Sequence, residues 1–323
     1  MTSTATTSNT WPWMKGEGFC TDAIDPVTPD DDRPSVADLI QKHRKDIDAV
    51  RAILQAEEPL FVPTKHDDLW LVRFLLSHKK VKEAAAAAKT SIQFRHQYHL
   101  DEQDLRFSPD LNQLPDDEGW KKLSSNSQPG AYSFTLPDAS RGPLAYMQFA
   151  DIDQNGLAKL IKDDEMFQSM LHVTEWSFQW CDHVTRTTGR LTKQARIVGL
   201  KNFKFLKMLN LEFMSRQGEA TKKIEDCYPQ LLGSLFLCDP PTWIDVPWTL
   251  VRPFLPKRVV AKTDFVKPNE KEKDLKKMYR FLTKENLPQR YGGASTLWPL
   301  PKLPEGCGAE PETAEEIETE IMT

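Results

Sequence analysis

Five short apolar runs alternate with long helix-patterned stretches through the middle of this 323-residue chain, and that alternation limits its fold more than any other feature. The runs are 131–136, 144–149, 196–200, 234–238 and 259–266. Between them lie 163–184 and 203–227, with apolar residues at the three- and four-residue steps of helices. Neighbouring parallel strands need a crossover, and a helix is the usual one. The pattern therefore predicts an α/β sheet with parallel pairs and crossover helices.

The first hundred residues read differently. Ser35 with Asp38 has the spacing of a helix start, and Val36, Leu39, Ile40, Ile47, Val50 and Leu54 then mark one helical face. A second helix follows Pro63 and a third contains the alanine run 84–88, so residues 34–110 form a small helical domain. Residues 1–33 are rich in Thr, Pro and Asp without an apolar period and are expected to be disordered. Seven glutamates after Lys302, with no further positive charge, make 296–323 an acidic disordered tail that could meet a protein partner. Residues 120–295 hold the α/β domain, with a solvated helix over 270–285 covering the sheet.

Several function classes are excluded by what the chain lacks. A net charge of −5 argues against nucleic-acid binding, which rests on clustered Lys and Arg. Nucleophile elbows, dinucleotide fingerprints and phosphate loops are missing, and only 14 glycines are present to build them. His96 and His99 read as solvated surface rather than metal ligands, and no nucleophile, base and orienting group can be named together. No catalytic residue, metal or cofactor is expected. Five scattered cysteines fit a reducing compartment, no apolar run is long enough to span a bilayer, and a cytoplasmic protein is expected.

The stretch from Cys227 to Gly293 carries the positive signal. Tyr228-Pro229, Gly233, the run 235–238, Asp239-Pro240-Pro241, Trp248, Pro253-Phe254-Leu255, Lys262 and the closing 285–293 segment follow in order. Together they resemble the CRAL-TRIO family of lipid-binding proteins. Asp67-Asp68, the 71–75 segment and Lys79 resemble the helical domain that precedes it. The resemblance implies an α/β domain with a mixed, mostly parallel sheet and a hydrophobic pocket closed by a gate helix.

It also implies a function: non-catalytic binding of one phospholipid- or phosphoinositide-like molecule, and its transfer or presentation through transient contact with membranes. In inositol-lipid members a Glu after Tyr-Pro works with a Lys to hold the headgroup. Here those positions are Gln230 and Lys262, and the basic cluster of the N-terminal domain is reduced to His78 and Lys79. The gate falls on 245–255, where Trp248, Val251 and Leu255 recur at helical steps. Trp243, Trp248, Val251, Phe254 and Leu255 are the expected gate and membrane contacts, each apolar side chain contributing about 1.5–3 kcal/mol on burial. Lys201, Lys204 and Lys207 offer a basic face to anionic lipid. The alternative is a degenerate scaffold that regulates other proteins.

Overall fold

The computed structural model describes residues 33–102, 118–125, 132–134, 141–240, 248–249 and 251–266, with shorter pieces at 244, 278, 281–282, 287, 289–291 and 293–294. The N-terminal segment other than Arg33, the acidic tail and most of 270–285 lie outside these residues.

Helix α1 (Val36–Glu57) starts where the sequence places it: the Ser35 hydroxyl accepts the Asp38 N–H. It buries Val36, Ile40, Ile47, Val50 and Leu54 against α2 (Asp68–His78), which the Asp67 carboxylate caps at Trp70. Every residue from Leu69 to Leu75 is buried, so α2 is the centre of the helical unit. Helix α3 (Val81–Gln97) packs on both through Ala84, Ala85 and Ala88, whose small side chains allow close approach.

Beyond α4 (Glu118–Ser125), one five-stranded sheet organises the chain in the order β1 (Tyr132–Phe134), β2 (Leu144–Gln148), β3 (Gln194–Gly199), β4 (Leu232–Cys238), β5 (Thr263–Val266). Among the described residues only β1 and β2 pair antiparallel; β2 through β5 are parallel. Helices α5 (Gln154–Leu160) and α6 (Asp163–Thr188) cross from β2 to β3, and α7 (Phe205–Met208) and α8 (Leu211–Glu225) cross from β3 to β4.

Strand alternation divides the sheet's residues between two faces. Leu144, Tyr146, Ala195, Ile197, Phe236 and Cys238 share a core with Met278, Leu282 and Leu287. Met278 and Leu282, within the stretch 270–285 expected to cover the sheet, are buried in this core. The other face presents Ala145, Met147, Arg196, Val198, Leu235 and Leu237, and it bears the cavity described below.

Two expected elements are corrected. The run 259–266 is not one strand, because Pro256 starts a helical turn, α9 (Lys257–Val260), and β5 begins only at Thr263. Pro256 has φ −56°, and its carbonyl accepts the Val259 N–H at 2.9 Å, so turn geometry overrides the β preference of two valines. The stretch 203–227 is two helices. Asn210 divides them, its side-chain oxygen accepting the Phe213 N–H at 2.8 Å as a cap.

Candidate functional site

A cavity of about 360 Å³ lies between this sheet face and helices α6 and α8, within the range of small-molecule sites. The topology sorts its walls. Parallel strands place all their N-terminal ends at one edge of the sheet, and each crossover helix runs back toward that edge. The far end, near the strands' C-termini, is mostly apolar: Met147 and Val198 from strands, Met166, Met170 and Val173 beside Ser169 from the first half of α6, Phe213 from the start of α8. The near end gathers Gln194 and Arg196 at the start of β3, Glu225 at the end of α8, Gln230 before β4, and Lys262 before β5.

These polar groups are partly satisfied. Gln194 donates to the Ser177 hydroxyl at 2.7 Å and accepts from Arg196 Nε at 3.1 Å. Lys262 Nζ donates to the Leu232 carbonyl at 2.6 Å, and burial, opposed by the charge of Glu225, lowers its pKa. Burial likewise raises the Glu225 carboxyl above its ordinary value, the nearby Arg258 charge working against this. Arg258 itself is bonded to Asp226. Gln230 takes a left-handed backbone, φ 63°, and donates to the Ser77 hydroxyl at 3.0 Å, so the end of α2 closes this side of the cavity.

Of the four expected headgroup residues, Gln230 and Lys262 stand in the cavity wall. His78 is a half-buried neighbour of the lining residue Ser77. Its Nε2 is buried without a hydrogen-bond partner among the described residues, and burial, then the Arg258 charge, lowers its pKa. Lys79 is not in the wall. It is exposed and ends α2 in a left-handed cap, φ 60°, its N–H bonded to the Leu75 carbonyl at 2.9 Å.

The structure describes four of the five expected gate and membrane-contact residues. Trp243 lies outside the described residues. Trp248 is half-buried, with its ring edge-on to Phe265 of β5 at 5.5 Å, so it packs on the sheet rather than projecting outward. Val251, Phe254 and Leu255 are half-buried as well; Trp248, Thr249 and Val251 are helical, the Trp248 N–H bonding the Ile244 carbonyl at 2.9 Å, and a 3₁₀ turn, Arg252–Phe254, forms the end of the expected helix. Among the described residues the large apolar side chains most exposed are Leu60, Val62, Leu160 and Leu211. Lys201, Lys204 and Lys207 are exposed.

Arg196 was not among the expected site residues. The signal lay in the run 196–200: alternation puts Arg196 on the same face as Val198, yet an arginine heading an apolar run reads as a solvent-facing strand end.

Residues 128–293 match the CRAL/TRIO domain, which is more than half of the chain. Patellin-3 of Arabidopsis thaliana is 23% identical over 236 residues, covering 71% of this chain and 43% of that protein. Patellin-5 of the same plant is 21% identical over 276 residues, 80% of this chain and 38% of its own. Protein real-time of Aedes aegypti is 21% identical over 199 residues, 59% and 28% of the two. The chain spans less than half the length of these curated relatives. The crystal structure of Sfh5 overlaps 73% of this chain and 81% of its own, with a TM-score of 0.42 and 12% identity. The domain match covers both walls of the cavity, from β1 to the segment beyond β5, and this chain belongs to the CRAL/TRIO family.

Proposed function

We propose that the protein holds one hydrophobic lipid in this cavity and transfers it between membranes, or presents it, without chemistry of its own. The cavity's polarity gradient supports this reading most: methionine and phenylalanine at one end, charged and amide groups at the other. A phospholipid- or phosphoinositide-like ligand would place its chain at the apolar end and its head near Gln230 and Lys262. Gln230 can exchange hydrogen bonds with hydroxyls, though it lacks the charge of a carboxylate. Each CH₂ kept from water is worth about 0.8 kcal/mol, so enclosure removes most of the barrier to leaving a bilayer.

Peripheral contact with a membrane, from the cytoplasm, would load and unload the lipid. Exposed Lys201, Lys204 and Lys207 would each contribute about 1 kcal/mol at an anionic surface. Opening of the 252–255 turn would release the ligand.

A second reading is a scaffold that regulates other proteins, with a partner on the acidic tail. It is favoured by Gln230, whose amide is already engaged by Ser77. Native mass spectrometry with lipid extraction, on full-length protein purified from cells, separates the two. The carrier reading expects one lipid per chain. Repeated recovery of ligand-free protein, with no transfer between liposomes, would overturn it.

A further inference from the structure

The central strand β3 places an arginine on the cavity face of the sheet. Arg196 stands in register with Ala145 of β2 and Leu235 of β4, and the next residue on its own face is Val198. Its neighbours across the sheet are therefore apolar. A guanidinium carries five N–H donors, and burying it without acceptors is costly. Nε donates to Gln194. Among the described residues the two terminal nitrogens have no hydrogen-bond partner, and no carboxylate lies within 4.0 Å of them. Arg196 is half-buried, and it lines the cavity.

The charges around it do not balance. Glu225 is the carboxylate whose field reaches Arg196, and it makes no hydrogen bond or ion pair among the described residues. Lys262 lines the same end. Arg258 is already paired with Asp226. Arg196 and Lys262 thus share one carboxylate, and burial pushes Lys262 and Glu225 alike toward their neutral forms. Gln230 and Gln194 add amide groups, but no second anion. An apolar chamber with a cationic end matches an amphiphile with an anionic head.

We propose that Arg196 is the recognition residue for the ligand's head, that the head is an oxyanion, a carboxylate or a phosphate, and that the ligand is a single-chain amphiphile. This rests on the carrier reading and deepens it. A guanidinium suits such a head because its paired N–H groups match two oxygens at once. A single chain, rather than the two of a phospholipid, is proposed because the cavity, about 360 Å³, is near the lower limit of ligand sites. Glu225 then opposes the head, limiting affinity so that the ligand can leave.

The test uses delipidated full-length protein loaded with a fluorescent fatty alcohol, a neutral probe. Oleate, oleoyl lysophosphatidate and oleyl alcohol share a tail and compete for it. Wild type is expected to prefer one or both anions over the alcohol by about 10- to 100-fold, the range of a charge-assisted hydrogen bond. The stronger of the two identifies the head as carboxylate or phosphate. Arg196→Gln should weaken the anions far more than the neutral probe and so lose the preference, Arg196→Lys should restore part of it, and Glu225→Gln should increase it. Equal displacement by acid and alcohol in wild type, or an undiminished preference in Arg196→Gln, would overturn the proposal while leaving the carrier reading intact. Failure of wild type to take up the neutral probe or any competitor would overturn the carrier reading too.

Discussion

His66 shows how far surroundings can change a single side chain. Its ring is 2% exposed, stacked on Phe61 at 5.3 Å and tilted against Trp70 at 4.6 Å, while Nδ1 accepts the Val62 N–H at 3.0 Å. Burial, then the charges of Lys65 and Arg95, lower its pKa from 6.5 to about 3. Below pH 6.5 the unfolded chain binds a proton that the folded chain refuses. The stability due to neutral His66 is therefore complete above pH 6.5 and is lost as the pH falls toward 3. Going from pH 7.5 to pH 5 should remove about 2 kcal/mol, read as a lower urea midpoint. His66→Phe should flatten that dependence; an unchanged slope would assign it to other groups. Nothing in the sequence marked His66, because its neutral state depends on rings and cations brought around it by folding. Gln230 and Lys262 could be named from motif order, and both line the cavity. Arg196 could not, since its environment is set by residues on two neighbouring strands.

At the scale of elements, α8 and the 252–254 turn meet in a tight joint near the cavity. A Cβ on Gly218 would lie 2.4 Å from the Phe254 carbonyl oxygen, and a backbone atom cannot move aside cheaply. Glycine inside a helix costs about 1 kcal/mol relative to alanine, so its presence here reflects close approach rather than helix preference. Gly218→Ala should leave α8 intact by circular dichroism yet push the turn away, speeding lipid exchange with liposomes several-fold. Unchanged exchange would mean that this turn does not control the exit. Elements with long periodic faces, such as α1 and α6, agree with the sequence to within a few residues. Disagreement falls where local chemistry competes with pattern, at Pro256 and Asn210.

The molecule as a whole is joined by charges buried between the helical unit and the α/β domain. Arg95 of α3 makes a two-pronged pair with Glu175 of α6, both bonds 3.0 Å, and Nε reaches Asp101 at 2.7 Å. Tyr228, of the Tyr-Pro motif, donates to the same glutamate at 2.7 Å. Arg186 of α6 binds Asp182 and reaches Asp67, the cap of α2. Glu175→Ala leaves Arg95 short of its main counter-charge in a dry interface, and the expected loss is about 3–5 kcal/mol by urea unfolding. Replacing both, Arg95→Met with Glu175→Met, should recover part of it, because Tyr228 and Asp101 still lose a partner; no recovery would mean that these bonds, or the pair itself, carry the stability.

The sequence alone determined the strand–helix alternation, the helical unit before it and the family, because periodicity and ordered motifs are properties of neighbours along the chain. Tertiary structure decided which charges are buried, which helix end closes the cavity, and that Trp248 packs on the sheet instead of facing out. Those outcomes depend on residues far apart in sequence: Gln230 meets Ser77, Glu175 meets Arg95, and Arg196 lies between Ala145 and Leu235. Burial, and with it charge state, is fixed only when such partners close around a group.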